Sequence, residues 1–182
     1  MSSSIYYLTG MGGQLTKGLG EELIRRGLTV SGQELIGEFK NLSFQEQIDQ
    51  VSSDLQQHFW STDSRVIANS FGAYLFLHAQ ASMKPYIGKV LLLSPIVGDF
   101  EDDESLRSFS PPRPYFLSEA ITNKVYPSPL NCQIHVGELD WQSNPTNVTN
   151  LGHSLNISVS IVPDAGHMLP KEYIKTVLDN WL

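Results

Sequence analysis

Three short segments hold residue types that together could make a hydroxyl react. The first is Val66-Ile67-Ala68-Asn69-Ser70-Phe71-Gly72-Ala73-Tyr74-Leu75. An apolar β-prone run ends at a serine, and an apolar stretch able to form a helix follows. A serine there is predicted on a sharp strand-to-helix turn, its Oγ raised above a sheet edge. Ala68 and Gly72 stand where larger side chains would collide, because strand and helix backbones nearly touch. The second segment, Val136-Gly137-Glu138-Leu139-Asp140, brings a carboxylate just past a strand end. The third, Val162-Pro163-Asp164-Ala165-Gly166-His167-Met168-Leu169-Pro170, turns out of a strand and presents an imidazole. A serine hydroxyl is a weak nucleophile until a base takes its proton. A histidine with an ordinary pKa of roughly 6.5 suits that task. A carboxylate on the other ring nitrogen would fix the tautomer and stabilise the imidazolium.

Such a set needs strands that end at one rim. Ile5–Thr9, Leu28–Ser31, Ser64–Asn69, Lys89–Leu93, Asn131–Val136 and Ile157–Val162 read as strands. Leu15–Arg26, Ser43–Trp60, Phe71–Ala81 and Pro170–Leu182 read as helices, with Gly10–Gly13 as a glycine-rich turn. Ser43 and Glu46 have capping-box spacing, and Phe44, Ile48, Val51, Leu55 and Phe59 recur every three or four residues. Alternating strands and helices predict an α/β three-layer sandwich. Its sheet would have about six mostly parallel strands, with helices on both faces. In open sheets of this kind, ligands bind past the C-terminal strand ends. The segment 95–130 breaks the rhythm, with an acidic run Asp99–Glu104 and the proline-rich Pro111-Pro112-Arg113-Pro114. It is expected to be a small lid or a surface insertion, with one helix near Tyr115–Lys124, on an otherwise single domain spanning 1–182.

The order Ser70, Asp140, His167 along the chain, each past a strand end, resembles the α/β-hydrolase superfamily in a small, trimmed form. The first strand-turn, Leu8-Thr9-Gly10-Met11-Gly12-Gly13, is similar to that superfamily's oxyanion loop. It has Thr9-Gly10 where His-Gly is frequent, and the serine turn has Ala68 in place of glycine. The resemblance implies a serine hydrolase that cleaves a carboxylic ester or thioester through an acyl-serine. Ser70 would be the nucleophile, His167 the base and Asp140 the orienting acid. The backbone N–H groups of Met11 and Phe71 would receive the oxyanion, helped by the positive end of the helix that starts at Phe71. Met11, Phe71, Trp141 and Met168 flank these positions and are expected to line an apolar substrate pocket.

Each residue has a plainer role open to it. Ser70 also fits a helix cap, Asp140 a turn, and His167 a surface turn. Asp99 and Asp164 are alternative acids. An idle binding protein on the same fold, or an acyltransferase, would use the same residues. A flavodoxin-like module would instead hold a phosphate-bearing ligand at Gly10–Gly13. Dinucleotide and P-loop patterns fail, because Leu15 stands where glycine is needed and Lys17-Gly18-Leu19 lacks the required order. No His-x-x-x-His or Cys-x-x-Cys spacing occurs, so neither metal nor cofactor is expected. His58, His78, His135 and His153 read as structural or solvated.

Composition narrows the class. The 182 residues are 41% hydrophobic and 17% charged, enough for a substantial core. A net charge of −7 without a basic run argues against nucleic acid and against anionic membranes. The one cysteine, Cys132, permits no internal disulfide. Met1–Leu8 lacks the features of a signal peptide, and no apolar run reaches bilayer length. The expectation is a cytoplasmic protein acting on a small-molecule substrate. The three Asn-x-Ser/Thr matches, at Asn41, Asn147 and Asn156, are then chance.

Overall fold

A computed structural model describes residues 4–102 and 107–182. Its elements are β1 (Ser4–Met11), α1 (Leu19–Arg25), β2 (Thr29–Leu35), α2 (Gly37–Asn41), α3 (Phe44–His58), β3 (Arg65–Asn69), α4 (Phe71–Ala81), β4 (Lys89–Leu93), β5 (Phe100–Asp102), β6 (Arg107–Phe109), α5 (Phe116–Thr122), β7 (Asn131–Gly137), α6 (Pro145–Leu155), β8 (Ser158–Val162) and α7 (Lys171–Trp181). Six strands form one sheet in the order β2-β1-β3-β4-β7-β8, and every neighbouring pair is parallel. All their C-terminal ends therefore meet along one rim.

Strand periodicity divides the core in two. Successive side chains leave a strand on opposite faces. Tyr6, Leu8, Val66, Ala68, Val90 and Leu92 enter a cluster with Ile48, Val51 and Leu55 of α3, the length of α4, and Val148 and Leu151 of α6. Their immediate neighbours Ile5, Tyr7, Ile67, Leu91 and Leu93 enter a second cluster with Leu23 of α1 and Val177, Leu178 and Trp181 of α7. Apolar runs without polar alternation follow from this arrangement, because the central strands are covered on both faces. The residues Phe71 to Gln80 of α4 are all buried. Burying each large apolar side chain such as Leu75 or Phe76 contributes about 1.5–3 kcal/mol. The Ser43–Glu46 capping box forms at the start of α3, worth about 1 kcal/mol.

Several boundaries differ from the sequence expectation. β1 continues through Gly10 to Met11, so only Gly12 and Gly13 turn. The first helix begins at Leu19, not Leu15. A Cβ on Gly20 would overlap the Leu15 carbonyl, and the Leu15 N–H donates to Glu34 instead of joining a helix. β2 extends to Leu35, held by parallel pairing with β1. The short α2, the β5–β6 hairpin and α6 add to the elements expected from the sequence. For α6 a local signal existed. Asn144 accepts from the N–H groups of Thr146 and Asn147, Pro145 opens the first turn, and left-handed Asn156 closes the helix.

Segment 95–130 leaves the sheet after β4 and returns as β7. It is tied down at several points. The Tyr74 hydroxyl donates to the carbonyls of Pro112 at 2.8 Å and Arg113 at 3.1 Å, and the Tyr126 hydroxyl donates to the Leu77 carbonyl at 2.8 Å. Arg113 reaches Gln45 of α3 and lies over the Phe44 ring. Phe116 stacks on the buried His78. Asp103 and Glu104 of the acidic run lie outside the described residues. Among the described residues, no helix is long and apolar enough to cross a membrane.

Candidate active site

β3 ends at Asn69 and α4 starts at Phe71, leaving one residue to reverse the chain. That residue is Ser70, at φ 52° and ψ −117°. A non-glycine residue pays about 1–3 kcal/mol for such a conformation. Surrounding bonds hold it there. Its N–H donates to the Leu93 carbonyl at 2.9 Å, and its own carbonyl accepts from Tyr74 at 3.2 Å and Ile96 at 3.3 Å. A Cβ on Gly72 would overlap the carbonyl oxygens of Leu8 and Thr9, so only glycine lets α4 leave so close to β1. A Cβ on Gly10 would come within 3.3 Å of the Ser70 Cβ, which sets the end of β1 against the serine. Ser70 makes no side-chain cap bond to its helix. Its Oγ instead lies 2.8 Å from His167 Nε2.

His167 comes from the turn after β8, and Asp140 from the turn after β7. Hydrogen bonds join the two turns: Glu138 N–H to the Val162 carbonyl at 2.9 Å and Leu139 N–H to the Ala165 carbonyl at 2.8 Å. Gly137 permits this approach, since a Cβ there would overlap the carbonyl oxygens of Ala165 and Gly166. His167 Nδ1 lies 2.9 Å from Asp140 Oδ2 and 3.0 Å from Oδ1. The Asp140 side chain is fully buried, and Oδ1 also accepts from the N–H groups of Gln142 at 3.0 Å and Ser143 at 2.9 Å. Three donors surround the carboxylate, which offsets its desolvation. A carboxylate only accepts, so Nδ1 carries the imidazole proton. Nε2 is then free to accept from the Ser70 hydroxyl. Serine, imidazole and carboxylate form one continuous chain of hydrogen bonds.

No protein-family profile matches the sequence, and no curated protein matches it. Solved structures do. The ydeN gene product from B. subtilis superposes with a TM-score of 0.68 at 15% identity, over 99% of this chain and 98% of that one. An α/β hydrolase enzyme from a lagoon-sediment metagenome of Mar Chica, Morocco, gives 0.65 at 14% identity, over 100% and 90%. A monoacylglycerol lipase of Paleococcus ferrophilus gives 0.66 at 14% identity, over 98% and 93%. The chain has the α/β-hydrolase fold.

Within this α/β-hydrolase fold the alternative acids are accounted for. Asp99 accepts from Ser110 Oγ at 2.5 Å on segment 95–130. Asp164, at φ 56°, sits on an exposed turn where its N–H donates to Glu138. Neither meets the imidazole. The four residues expected to line an apolar pocket differ in exposure. Met168 is 89% exposed and Met11 54% exposed, so both side chains stand in solvent at the rim. Phe71 is buried among Phe44 and Tyr74, and Trp141 packs edge-on against Phe100 at 5.5 Å. Neighbourhood to a turn in sequence does not fix where a side chain points.

Two residues that support this arrangement are not among those expected from the sequence. Ser143 is fully buried. Its N–H holds Asp140, and its Oγ donates to the Ser94 carbonyl at 2.6 Å. The signal was an aspartate followed two and three residues later by donors, a turn pattern. Ser94, at φ 43°, receives that bond and links β4 to β7 through its N–H to the His135 carbonyl at 2.8 Å. Nothing in its local sequence marks a positive φ.

Proposed function

We propose that this chain is a serine hydrolase that cleaves a carboxylic ester or thioester of a small molecule through an acyl-Ser70 intermediate. The observation that carries this reading is the unbroken relay from Ser70 Oγ through His167 to a buried, three-donor Asp140. Structural likeness to a lipase and to an enzyme described as an α/β hydrolase supports the same class. Ser70 Oγ attacks the acyl carbon while His167 Nε2 takes the hydroxyl proton. The carbonyl oxygen becomes an oxyanion. As the first residue of α4, Phe71 has an N–H with no carbonyl one turn back, so it is free for that charge. The N–H of Met11, next to the Gly10 that abuts Ser70, is the second donor. Each such donor is worth about 3–4 kcal/mol in the transition state. The leaving alcohol or thiol departs with the proton held on His167. Water then gives a proton to His167, its oxygen adds to the acyl carbon, and collapse releases the acid and returns the proton to Ser70.

Replacing Ser70 by alanine tests this directly. Turnover of 4-nitrophenyl acetate or butyrate should fall by about 10³-fold or more. A fluorophosphonate probe should label the parent stoichiometrically at Ser70 and leave the variant untouched. An S70A variant as fast as the parent would remove Ser70 from the mechanism.

A further inference from the structure

Thr9 is a polar residue fully buried near the end of β1, the strand that runs beside β3 and its Ser70 turn. The pairing of β1 with β2 slips at this point. Leu8 lies opposite Gln33 and Met11 opposite Leu35, so Thr9 and Gly10 together face the single residue Glu34. An extra residue of this kind is a β-bulge, which disrupts the ladder locally and bends the strand. The Thr9 hydroxyl spans the bulge. Its Oγ1 accepts from the Leu35 N–H at 3.0 Å and donates to the Gly13 carbonyl at 3.3 Å. The Gly13 N–H in turn donates to the Gly10 carbonyl at 2.9 Å, and the Gly12 N–H to the Leu35 carbonyl at 3.1 Å. The stretch Gly10–Gly13 is thereby closed on itself and fastened to β2 around one side chain.

The same stretch abuts the serine turn. A Cβ on Gly10 would come within 3.3 Å of the Ser70 Cβ, and the Thr9 carbonyl lies against Gly72. β1 stands between β2 and β3. Successive N–H groups of an extended strand point to opposite neighbours. The Gly12 N–H is directed at β2, so the Met11 N–H is directed to the β3 side, where Ser70 stands. Resting on the hydrolase reading above, we infer that Thr9 is a positioning residue for the oxyanion. Its hydroxyl sets the bulge that aims the Met11 N–H at the acyl oxygen, and it touches no reacting atom itself. A donor of this kind accelerates the reaction because it is already aimed when charge develops. Loosening it therefore costs transition-state stabilisation and spares ground-state binding.

T9V keeps the branched shape and removes the hydroxyl; T9S keeps the hydroxyl. With 4-nitrophenyl butyrate, T9V should lose about tenfold or more in kcat, and at most the roughly 10²–10³-fold that a whole donor is worth. KM should stay within about twofold, the mark of an interaction made only in the transition state. T9S should recover kcat to within about threefold of the parent, since its Oγ can make the same bonds. Trifluoromethyl propyl ketone reads the oxyanion without turnover. Ser70 Oγ bonds to the ketone carbon, its proton passes to His167 Nε2, and the carbonyl electron pair becomes an alkoxide. Its inhibition constant should rise in T9V alongside the fall in kcat. Far-ultraviolet circular dichroism certifies the fold. Should T9V not fold, G13A decides in its place: its methyl would stand 2.7 Å from the Thr9 Cβ and 3.0 Å from the Gly10 carbonyl oxygen, displacing the same stretch. Parental kcat in the deciding variant, a loss confined to KM, or a T9S as slow as T9V would overturn the role of Thr9. The hydrolase reading survives any of these if a fluorophosphonate labels Ser70 of the parent. If Ser70 of the parent never labels, that reading fails, and this inference with it.

Discussion

At the scale of single residues, the relay depends on proton positions more than on proximity. Asp140 only accepts, and its acceptance from His167 keeps Nε2 unprotonated. Asparagine at 140 would keep the shape and could still accept from Gln142 and Ser143. Its NH₂ could also face Nδ1 and favour the tautomer with a proton on Nε2, which cannot receive one from Ser70. D140N is therefore expected to fold with near-parent stability and lose about 10³–10⁴-fold in kcat. Kinetics beside a urea melt would check this; a variant with parental kcat would show that Asp140 does not set the tautomer. Ser70 itself reads two ways in sequence, as cap or as nucleophile. The structure separates them, because its Oγ bonds to His167 and not to α4.

At the scale of elements, α4 carries an unusual passenger. His78 is buried between Tyr74, Phe44 and Phe116, and neither ring nitrogen has a hydrogen-bond partner among the described residues. Burial, with a smaller contribution from the nearby Arg113, holds its pKa down to about 4. In the unfolded chain the ordinary value is roughly 6.5. Between these values the unfolded state binds a proton that the native state refuses, so stability falls as pH drops through that window. The residue's share is at most about 3 kcal/mol across the window. H78F removes the titration and keeps an aromatic ring against Phe116. Its urea midpoint should therefore decline less than the parent's between pH 6.5 and 4. Parallel declines would show that His78 is not an acid-sensitive contact of α4 with α5.

For the whole molecule, the six-stranded sheet is shared by both cores, so neither layer can unfold alone without exposing the other's strands. Segment 95–130 is fastened to α3 and α4 through Arg113, Tyr74, Tyr126 and Phe116. A single cooperative transition is expected. The three tryptophans make this measurable. Trp60 packs on Tyr86 in one core, Trp181 lies in the other, and Trp141 touches Phe100 at the start of the β5–β6 hairpin. Far-ultraviolet circular dichroism and tryptophan fluorescence should give coincident urea curves. An earlier fluorescence change, lost in W141F, would mean that segment 95–130 opens as a separate unit.

The amino-acid sequence by itself determined the layer architecture, because apolar runs of strand length and helical stripes such as Phe44–Phe59 are local patterns. It also located the serine, acid and histidine turns, because a tight bend admits few residue types, as at Gly72 and Gly137. Local pattern reached less far at α6, whose Asn-Pro start resembles a loop. The β5–β6 hairpin is made of three-residue strands too short for periodicity to register. Only the tertiary structure decided that Asp140 rather than Asp99 or Asp164 meets His167, since the choice rests on β7 lying beside β8. It alone turned Met11 and Met168 to solvent, and it alone brought the exposed Tyr115 and Asn150 to one surface groove with Val97. Side-chain direction and the meeting of distant segments are set by packing over the whole sheet, and no window of neighbouring residues carries that information.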